Sequence, residues 1–271
     1  MDGGQPNYVI SERVRDHFPD LAEAFDGFQA EVRAWEERFE FGRRRARGAE
    51  RLYMADGSKT ARRLILSYST ALASRNVNLA SGMIALLNTG NAHAAPVVAR
   101  ALNETCGVST YMQRNLVPLL VANRPERTKV MLFRLGLGSD PGTGWADLRP
   151  YRVSAFVKSL SQALDDHAGG GGTVIRRIYS GLSDFSHPNM SGTTLSVNLS
   201  DDAQPSWTLQ PPVSDYIVTA TVGGSRLALG VAGEAWDTVI STAQKHAVVL
   251  PEEDVFGPDD VVGVPEATQD S

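Results

Sequence analysis

Cysteine is almost absent from this chain, and that scarcity limits its chemistry. Among 271 residues there is one cysteine, Cys106, so neither an intramolecular disulfide nor a zinc site built from several cysteines can form. We expect Cys106 to be a small buried hydrophobic residue of a helix rather than a nucleophile. A chain without disulfides suits a reducing compartment, which predicts a cytoplasmic protein.

Long hydrophobic runs are also missing. The first residues lack the basic region and the apolar run of a signal peptide. No stretch approaches the roughly 18 uninterrupted apolar residues that a membrane span requires. Residues 116–122 form an apolar run that is too short, and charged residues interrupt the later candidate. The sequence therefore predicts a soluble protein with no membrane association.

Metal-binding and phosphate-binding motifs are scarce as well. The histidines are scattered, and none has a second histidine or a cysteine three or four residues away: His17, His93, His167, His187 and His246. We therefore expect neither a metal nor a cofactor. The run Gly169–Gly172 lacks the Lys-Ser or Lys-Thr pair of a phosphate-binding loop, so we interpret it as a flexible linker. The preceding residues, Asp165–His167, are interpreted as a solvated helix end.

Charge is distributed unevenly along the chain. The formal net charge is −5, but residues 251–271 contain seven acids and neither lysine nor arginine, which leaves 26 basic and 24 acidic residues in the remainder. We expect 251–271 to be an acidic, disordered tail. Five arginines lie between Arg43 and Arg51. They could bind the phosphates of RNA or another anionic partner, dock the acidic tail, or form a solvated helix face.

What the sequence has in abundance is helical periodicity. Near the N-terminus, large apolar residues follow one another at alternating intervals of four and three: Leu21, Phe25, Phe28, Val32, Trp35 and Phe39. This stripe must pack against another helix, because each large side chain contributes about 1.5–3 kcal/mol when it is buried. The partner helix could come from this chain or from a second copy, and we predict a homo-oligomer formed through residues 20–40.

The remaining pattern predicts a mostly α-helical bundle with a small appended β-hairpin. Alternating polar and apolar residues near 193–209 indicate the hairpin. A final helix is predicted over about 215–245, where Gly223, Gly224 and Gly230 would permit close approach between helices. We divide the chain into an N-terminal heptad helix that is a candidate dimerisation element, a bundle domain that includes the hairpin, and the acidic tail: 1–57, 58–250 and 251–271.

The most informative segment is 176–189, which is typical of a helix stopped by Pro188. Arg176, Ser183 and His187 fall within about 40° of one another on that helix, so they form a polar stripe. A second polar pair, Arg100 and Glu104, has i, i+4 spacing on an otherwise apolar helix. If the two helices pack together, these groups meet. They would form either a polar network that fixes the register of the helices or a functional site.

The functional interpretation assigns a role to each polar group. The candidate catalytic residues are His187, Ser183, Glu104 and Arg100, and the candidate substrate-binding residues are Arg176 and Tyr179. His187 would be the general acid–base, because the ordinary pKa of histidine, about 6.5, lies near neutral pH. Ser183 would orient it or bind substrate, Glu104 would polarise its imidazole, and Arg100 or Arg176 would hold a phosphate. In the structural interpretation, His187 caps the end of its helix.

Two short motifs also carry a family resemblance: Tyr179-x-x-Leu182-Ser183-x-x-x-His187-Pro188 and Ala99-Arg100-Ala101-Leu102-x-Glu104. They resemble a group of bacterial helical proteins near the HEPN and abortive-infection proteins, over roughly residues 64–189. The resemblance implies an all-helical domain with a role in phage defence or RNA cleavage. Arg176 and His187 are further apart than the Arg–His pair of a HEPN ribonuclease. We therefore predict an interaction or nucleic-acid-associated module; the alternative is a metal-independent ribonuclease-like toxin that uses His187.

Overall fold

The computed structural model describes residues 8–56, 60–91, 94–137, 151–169, 171–186, 197–198, 206–207 and 215–250. These residues form eight α-helices, numbered here in chain order: α1 (Glu12–His17), α2 (Ala22–Asp56), α3 (Ala61–Asn88), α4 (Ala94–Val121), α5 (Pro125–Leu137), α6 (Val153–Ala168), α7 (Gly171–Ser186) and α8 (Asp215–Lys245). A 3₁₀ turn over Pro19–Leu21 joins α1 to α2. The predicted helical bundle is confirmed.

Two short strands, β1 (Val197–Asn198) and β2 (Ser206–Trp207), pair in the antiparallel direction. The residues that would connect them lie outside the described part of the chain, so the β-hairpin near 193–209 stays a prediction. The acidic tail, 251–271, also lies outside it. Within the described residues, no helix is both long enough and apolar enough to cross a membrane.

The heptad stripe of α2 is buried inside this chain. Phe25, Phe28, Val32 and Trp35 are completely inaccessible to solvent, because α2 packs against α3 and α8. The indole Nε1 of Trp35 donates a 3.1 Å hydrogen bond to the backbone oxygen of Leu229 in α8. These four side chains are covered within the chain and offer no apolar surface to a second copy. A homo-oligomer formed through residues 20–40 stays a prediction.

Helix α8 lies at the centre of the bundle, and its bounds confirm the helix predicted over 215–245. It packs against α2, α3, α4, α6 and α7. It packs tightly against α7 at Gly224, where a Cβ atom would lie 2.6 Å from Cγ2 of Ile178. A similar approach joins α4 to α6, because a Cβ atom on Gly107 would lie 2.6 Å from the backbone oxygen of Phe156. The predicted close approach is therefore confirmed at Gly224.

The segment that follows α8 returns to the beginning of α3. The amide of Ala61 donates a 3.0 Å hydrogen bond to the backbone oxygen of Val248, and Thr60 and Val249 form an isolated antiparallel bridge. The side chains of Val248 and Leu250 are buried. The chain therefore leaves the described fold at Leu250, beside the first turn of α3.

Candidate functional site

Three polar side chains meet where α4 packs against α7, and we call them the polar junction: Arg100, Glu104 and Tyr179. Oε1 of Glu104 accepts a 2.7 Å hydrogen bond from the Tyr179 hydroxyl and a 3.0 Å hydrogen bond from Nε of Arg100. Nε of Arg100 also lies 3.4 Å from the Tyr179 hydroxyl oxygen. The side chains of Arg100 and Glu104 are 25% and 27% exposed. The junction is therefore half-buried, not sealed in the core.

The electrostatics of the polar junction suit a positioning role. Partial burial, followed by the hydrogen bond to Glu104, raises the pKa of Tyr179, so the phenol stays protonated at neutral pH. Burial lowers the pKa of Arg100, but its hydrogen bonds to Tyr179 and Glu104 outweigh that effect and the net shift is upward. Arg100 and Tyr179 therefore both keep their protons at neutral pH. This geometry favours the polar network that fixes the register of α4 against α7.

The other groups of the predicted stripe lie along α7. Ser183 is half-buried, and its hydroxyl donates a 2.8 Å hydrogen bond to the backbone oxygen of Tyr179, within the same helix. Arg176 is exposed, and its Nε donates a 3.3 Å hydrogen bond to the backbone oxygen of Gly172. His187 lies outside the described residues. Its predicted role, as general acid–base or as helix cap, therefore stays a prediction.

Helices α6 and α7 form a tight hairpin at the glycine run. Gly169 ends α6 with a left-handed φ of 54°, and α7 begins two residues later. Oδ1 of Asp165 accepts a 2.7 Å hydrogen bond from the amide of Gly172, whose carbonyl accepts a 2.9 Å hydrogen bond from the Ser161 hydroxyl. A Cβ atom on Gly172 would overlap Asp165 and the backbone of Ser161. The flexible-linker interpretation is therefore wrong at Gly169 and Gly172, where backbone conformation and close packing require glycine.

Residues 165–167 lie in the last turn of α6, and the interpretation as a solvated helix end is confirmed at Asp166 and His167, whose side chains are exposed, while Asp165 is half-buried. Oδ2 of Asp166 lies 2.7 Å from Nη1 of Arg114 in α4. Nδ1 of His167 lies 3.4 Å from Oε2 of Glu234 in α8. The C-terminal end of α6 thus contacts α4 and α8 through exposed side chains, and such exposed pairs contribute about 0–1 kcal/mol each.

An open cleft of about 500 Å³ lies between α6 and α7. It is lined by both helices: Ser154, Val157, Lys158, Ser161, Gln162, Asp165, Arg176 and Tyr179. Lys158 and Arg176, which we call the cleft cations, are both exposed. Neither is within ion-pair distance of a carboxylate in the described part of the chain. Tyr179 belongs both to the cleft and to the polar junction.

The α6 wall of this cleft was missed by sequence reasoning, although a signal for it exists. Ser154, Lys158, Gln162 and Asp165 recur at intervals of four and three residues, which places them on one face of α6. The apolar residues of α6 follow the same helical period. A polar face of this kind is usual on surface helices, so the sequence did not distinguish it from ordinary solvated surface.

The arginines near the end of α2 form a second basic surface. Arg43 pairs with Glu40 at 2.6 Å, and Nε of Arg44 donates a 3.2 Å hydrogen bond to the backbone oxygen of Glu40. The guanidinium of Arg45 lies 4.5 Å from the ring centroid of Phe41. The side chains of residues 47 and 51 lie outside the described set. One of the three described arginines is thus neutralised by a neighbouring acid.

Cys106 is a core residue, as predicted. Its side chain is buried, and burial raises the pKa of its thiol far above the usual range, so the reactive thiolate does not form near neutral pH. Among the residues that the structure describes, no group of three or more His, Cys, Asp or Glu side chains is arranged to hold a metal ion.

No protein-family model, curated protein or solved structure matches the chain. The cleft and the polar junction are therefore interpreted from their own geometry and chemistry.

Proposed function

We propose that the protein is a binding module for an anionic ligand of the nucleic-acid type, held in the cleft between α6 and α7. The observation that carries the proposal is the pair of cleft cations. Lys158 and Arg176 line one cleft from two helices and have no carboxylate partner within the described ranges. Ammonium and guanidinium groups are common protein ligands of phosphate.

The surroundings of the cleft cations support this function. Ser154 and Gln162 add a hydroxyl and an amide to the cleft, and such groups form hydrogen bonds with sugars and bases. The bond from Nε of Arg176 to Gly172 restrains the guanidinium, which reduces the entropy lost when it binds an anion. The polar junction holds Tyr179 in the wall of the cleft, so that wall is fixed before a ligand arrives.

Binding of a short single-stranded RNA, measured by fluorescence anisotropy over a range of salt concentrations, tests the proposal. We expect K158Q/R176Q to bind about tenfold more weakly. The slope of log affinity against log salt should fall by about 1.4, since each phosphate contact with a single strand contributes about 0.7. The matched control R177Q/K245Q removes two exposed cations outside the cleft. Unchanged RNA affinity in K158Q/R176Q, or an equal loss in the control, would contradict the proposal.

As part of the same proposal, the protein is HEPN-like, acts in phage defence and is located in the cytoplasm. The alternative function is a metal-independent ribonuclease-like toxin that uses His187. The same RNA, examined for cleavage products, separates the two functions. Binding without cleavage supports the module. Cleavage that disappears in His187→Ala, while the variant keeps the helical content of the parent, supports the toxin.

A further inference from the structure

Tyr179 contributes to the polar junction and to the cleft with different parts of its side chain. Its hydroxyl donates a 2.7 Å hydrogen bond to Oε1 of Glu104 and lies 3.4 Å from Nε of Arg100, and both partners belong to α4. The lining of the cleft comes from α6 and α7. The hydroxyl therefore points toward α4, and the surface that Tyr179 gives to the cleft is the carbon surface of its side chain.

The ring of Tyr179 is held from the α4 side. The guanidinium carbon of Arg100 lies 5.4 Å from the ring centroid, within the range of a cation–π contact. Together with the hydrogen bond to Glu104, this contact restrains the rotation of the side chain. An aromatic ring that is already fixed loses little conformational entropy when a flat molecule packs against it. Tyr179 is half-buried, so part of its surface remains available to such a molecule.

The cleft offers apolar and cationic surface side by side. Val157 lines it from α6 and Tyr179 lines it from α7. Lys158 follows Val157 directly in α6, and Arg176 lies three residues before Tyr179 in α7. At that spacing the backbones of Arg176 and Tyr179 are about 4.5 Å apart along the helix axis. A ligand that carries a flat apolar group next to an anionic group can therefore contact both kinds of surface.

We propose that the ring of Tyr179 is a stacking surface for a nucleobase, so that the cleft takes a single strand with an unpaired base beside the phosphate bound by the cleft cations. The inference rests on the proposed function, because the cleft cations supply the phosphate contact. Every base has a flat aromatic face, so stacking on a ring tolerates different sequences. Neighbouring bases cover those faces in a double helix, whereas a single strand can turn a base outward. The ring of Tyr179 thus distinguishes a nucleic acid with accessible bases from other polyanions.

Two ligands that differ only in their bases test the inference. One is a short single-stranded RNA, and the other is a chain of the same length and charge whose sugars carry no bases. Fluorescence anisotropy measures the affinity of each, and the ratio of the two affinities isolates the contribution of the bases. The parent protein should bind the RNA about tenfold more tightly than the abasic chain, as expected for one base stacked on an aromatic side chain. Equal affinity of the parent for the two chains would overturn the inference.

Three variants separate the ring from the hydroxyl. Tyr179→Leu removes the ring, so the preference for the RNA should disappear. Tyr179→Phe keeps the ring and loses only the bonds of the hydroxyl, so the preference should persist. Tyr216→Leu is the matched control at a tyrosine that is 64% exposed and lies outside the cleft lining, and it should also keep the preference. If Tyr179→Leu weakens binding of both chains equally, Tyr179 has a purely structural role and the inference is overturned.

An NMR titration of the parent protein gives a readout that does not depend on the folding of Tyr179→Leu. The tyrosine ring-proton signals of Tyr179 are identified by their absence in Tyr179→Phe. At saturation with the RNA, a stacked base should shift these signals upfield, whereas saturation with the abasic chain should leave them in place. Ring protons of Tyr179 that do not respond to the RNA would overturn the inference.

The cleft cations distinguish failure of this inference from failure of the proposed function. K158Q/R176Q should weaken binding of both chains, because both carry the same phosphates. If it does so while the parent binds both chains equally, the cleft binds phosphate and only the stacking inference is overturned. If K158Q/R176Q leaves the affinity for both chains unchanged, the proposed function fails, and the inference that rests on it fails as well.

Discussion

The contact of α2 with α8 and the contact of α4 with α7 differ in the side chains that dominate them. In the first, Phe25, Phe28, Val32 and Trp35 are fully buried and the Trp35 indole donates a hydrogen bond to α8, while a more exposed ion pair joins Arg38 to Asp237 of α8. In the second, the polar junction joins the helices through hydrogen bonds among half-buried side chains. The same chain thus joins one pair of helices mainly through buried apolar side chains, which form the apolar seam of α2, and another pair through hydrogen bonds.

The two contacts make different contributions: the first stabilises the fold, and the second sets the register of two helices. Burial of apolar surface is not directional, so the α2 seam supplies free energy in proportion to the area it covers. Hydrogen bonds are directional and weaken as their distance and angle depart from the optimum, so the polar junction contributes less free energy but restrains where α7 lies along α4. The cleft depends on that position, because Tyr179 is common to both.

The largest effect is expected at the apolar seam. Trp35→Ala should lower the free energy of unfolding by about 3–5 kcal/mol, because it leaves a cavity between α2 and α8 and removes the donor to Leu229. Urea denaturation followed by circular dichroism measures this change. Arg33→Ala, an exposed neighbour on the same helix, should stay within about 0.5 kcal/mol of the parent. If Trp35→Ala lowers the free energy of unfolding no more than Arg33→Ala does, the apolar seam of α2 does not supply the stability assigned to it.

An intermediate effect is expected where α7 meets α8. Gly224→Ala should destabilise the fold by about 1–3 kcal/mol, because the new methyl group would overlap Ile178. Gly223→Ala is the matched control on the adjacent residue. A Cβ atom there meets no atom within 4 Å, so this substitution should stabilise α8 by up to about 1 kcal/mol through helix propensity. Denaturation midpoints that move in the same direction for both variants would contradict this account.

The smallest effect is expected at the polar junction, and it should depend on pH. Tyr179→Phe should cost about 1 kcal/mol at pH 8, because Glu104 loses a hydrogen bond. The pKa of Tyr179 is raised by burial and by Glu104, so the folded state favours the protonated phenol. Its contribution is complete below the ordinary tyrosine pKa of about 10 and is lost as the pH rises through the higher folded value.

The difference between the parent and Tyr179→Phe should therefore shrink in urea titrations above about pH 10. Tyr216→Phe, at a residue that is 64% exposed, should leave the free energy of unfolding unchanged at pH 8. A difference at Tyr179 that stays constant with pH would contradict the raised pKa of its hydroxyl.

Much of the fold could be predicted because apolar periodicity reports burial directly. The stripe from Phe25 to Trp35 predicted a helix against another helix, and α8 was predicted with its correct bounds. The periodicity could not identify the partner of α2, because an apolar stripe has the same pattern whether the same chain or a second copy covers it. The glycine run was misinterpreted because its constraint is tertiary: Gly172 is fixed by contact with Ser161 and Asp165, which composition does not record.

The candidate site was predicted only in part. Arg100 and Glu104 were predicted to meet the polar stripe of α7, but the α7 residue that they contact is Tyr179, which is not part of that stripe. Ser183 and Arg176 instead donate to backbone oxygens of α7 itself. Tyr179, predicted to bind substrate, also lines the cleft together with Arg176. Lys158 could not be distinguished from ordinary surface lysine in the sequence. Its importance comes from the cleft between two helices, and a cleft is a property of packing rather than of one helix.

The hydrogen bonds of Ser161 and Asp165 to Gly172 act as a clasp that closes one end of the α6–α7 hairpin. Both bonds would have to break before α6 and α7 could separate at this end, so the position of one helix against the other is fixed there by the chain itself.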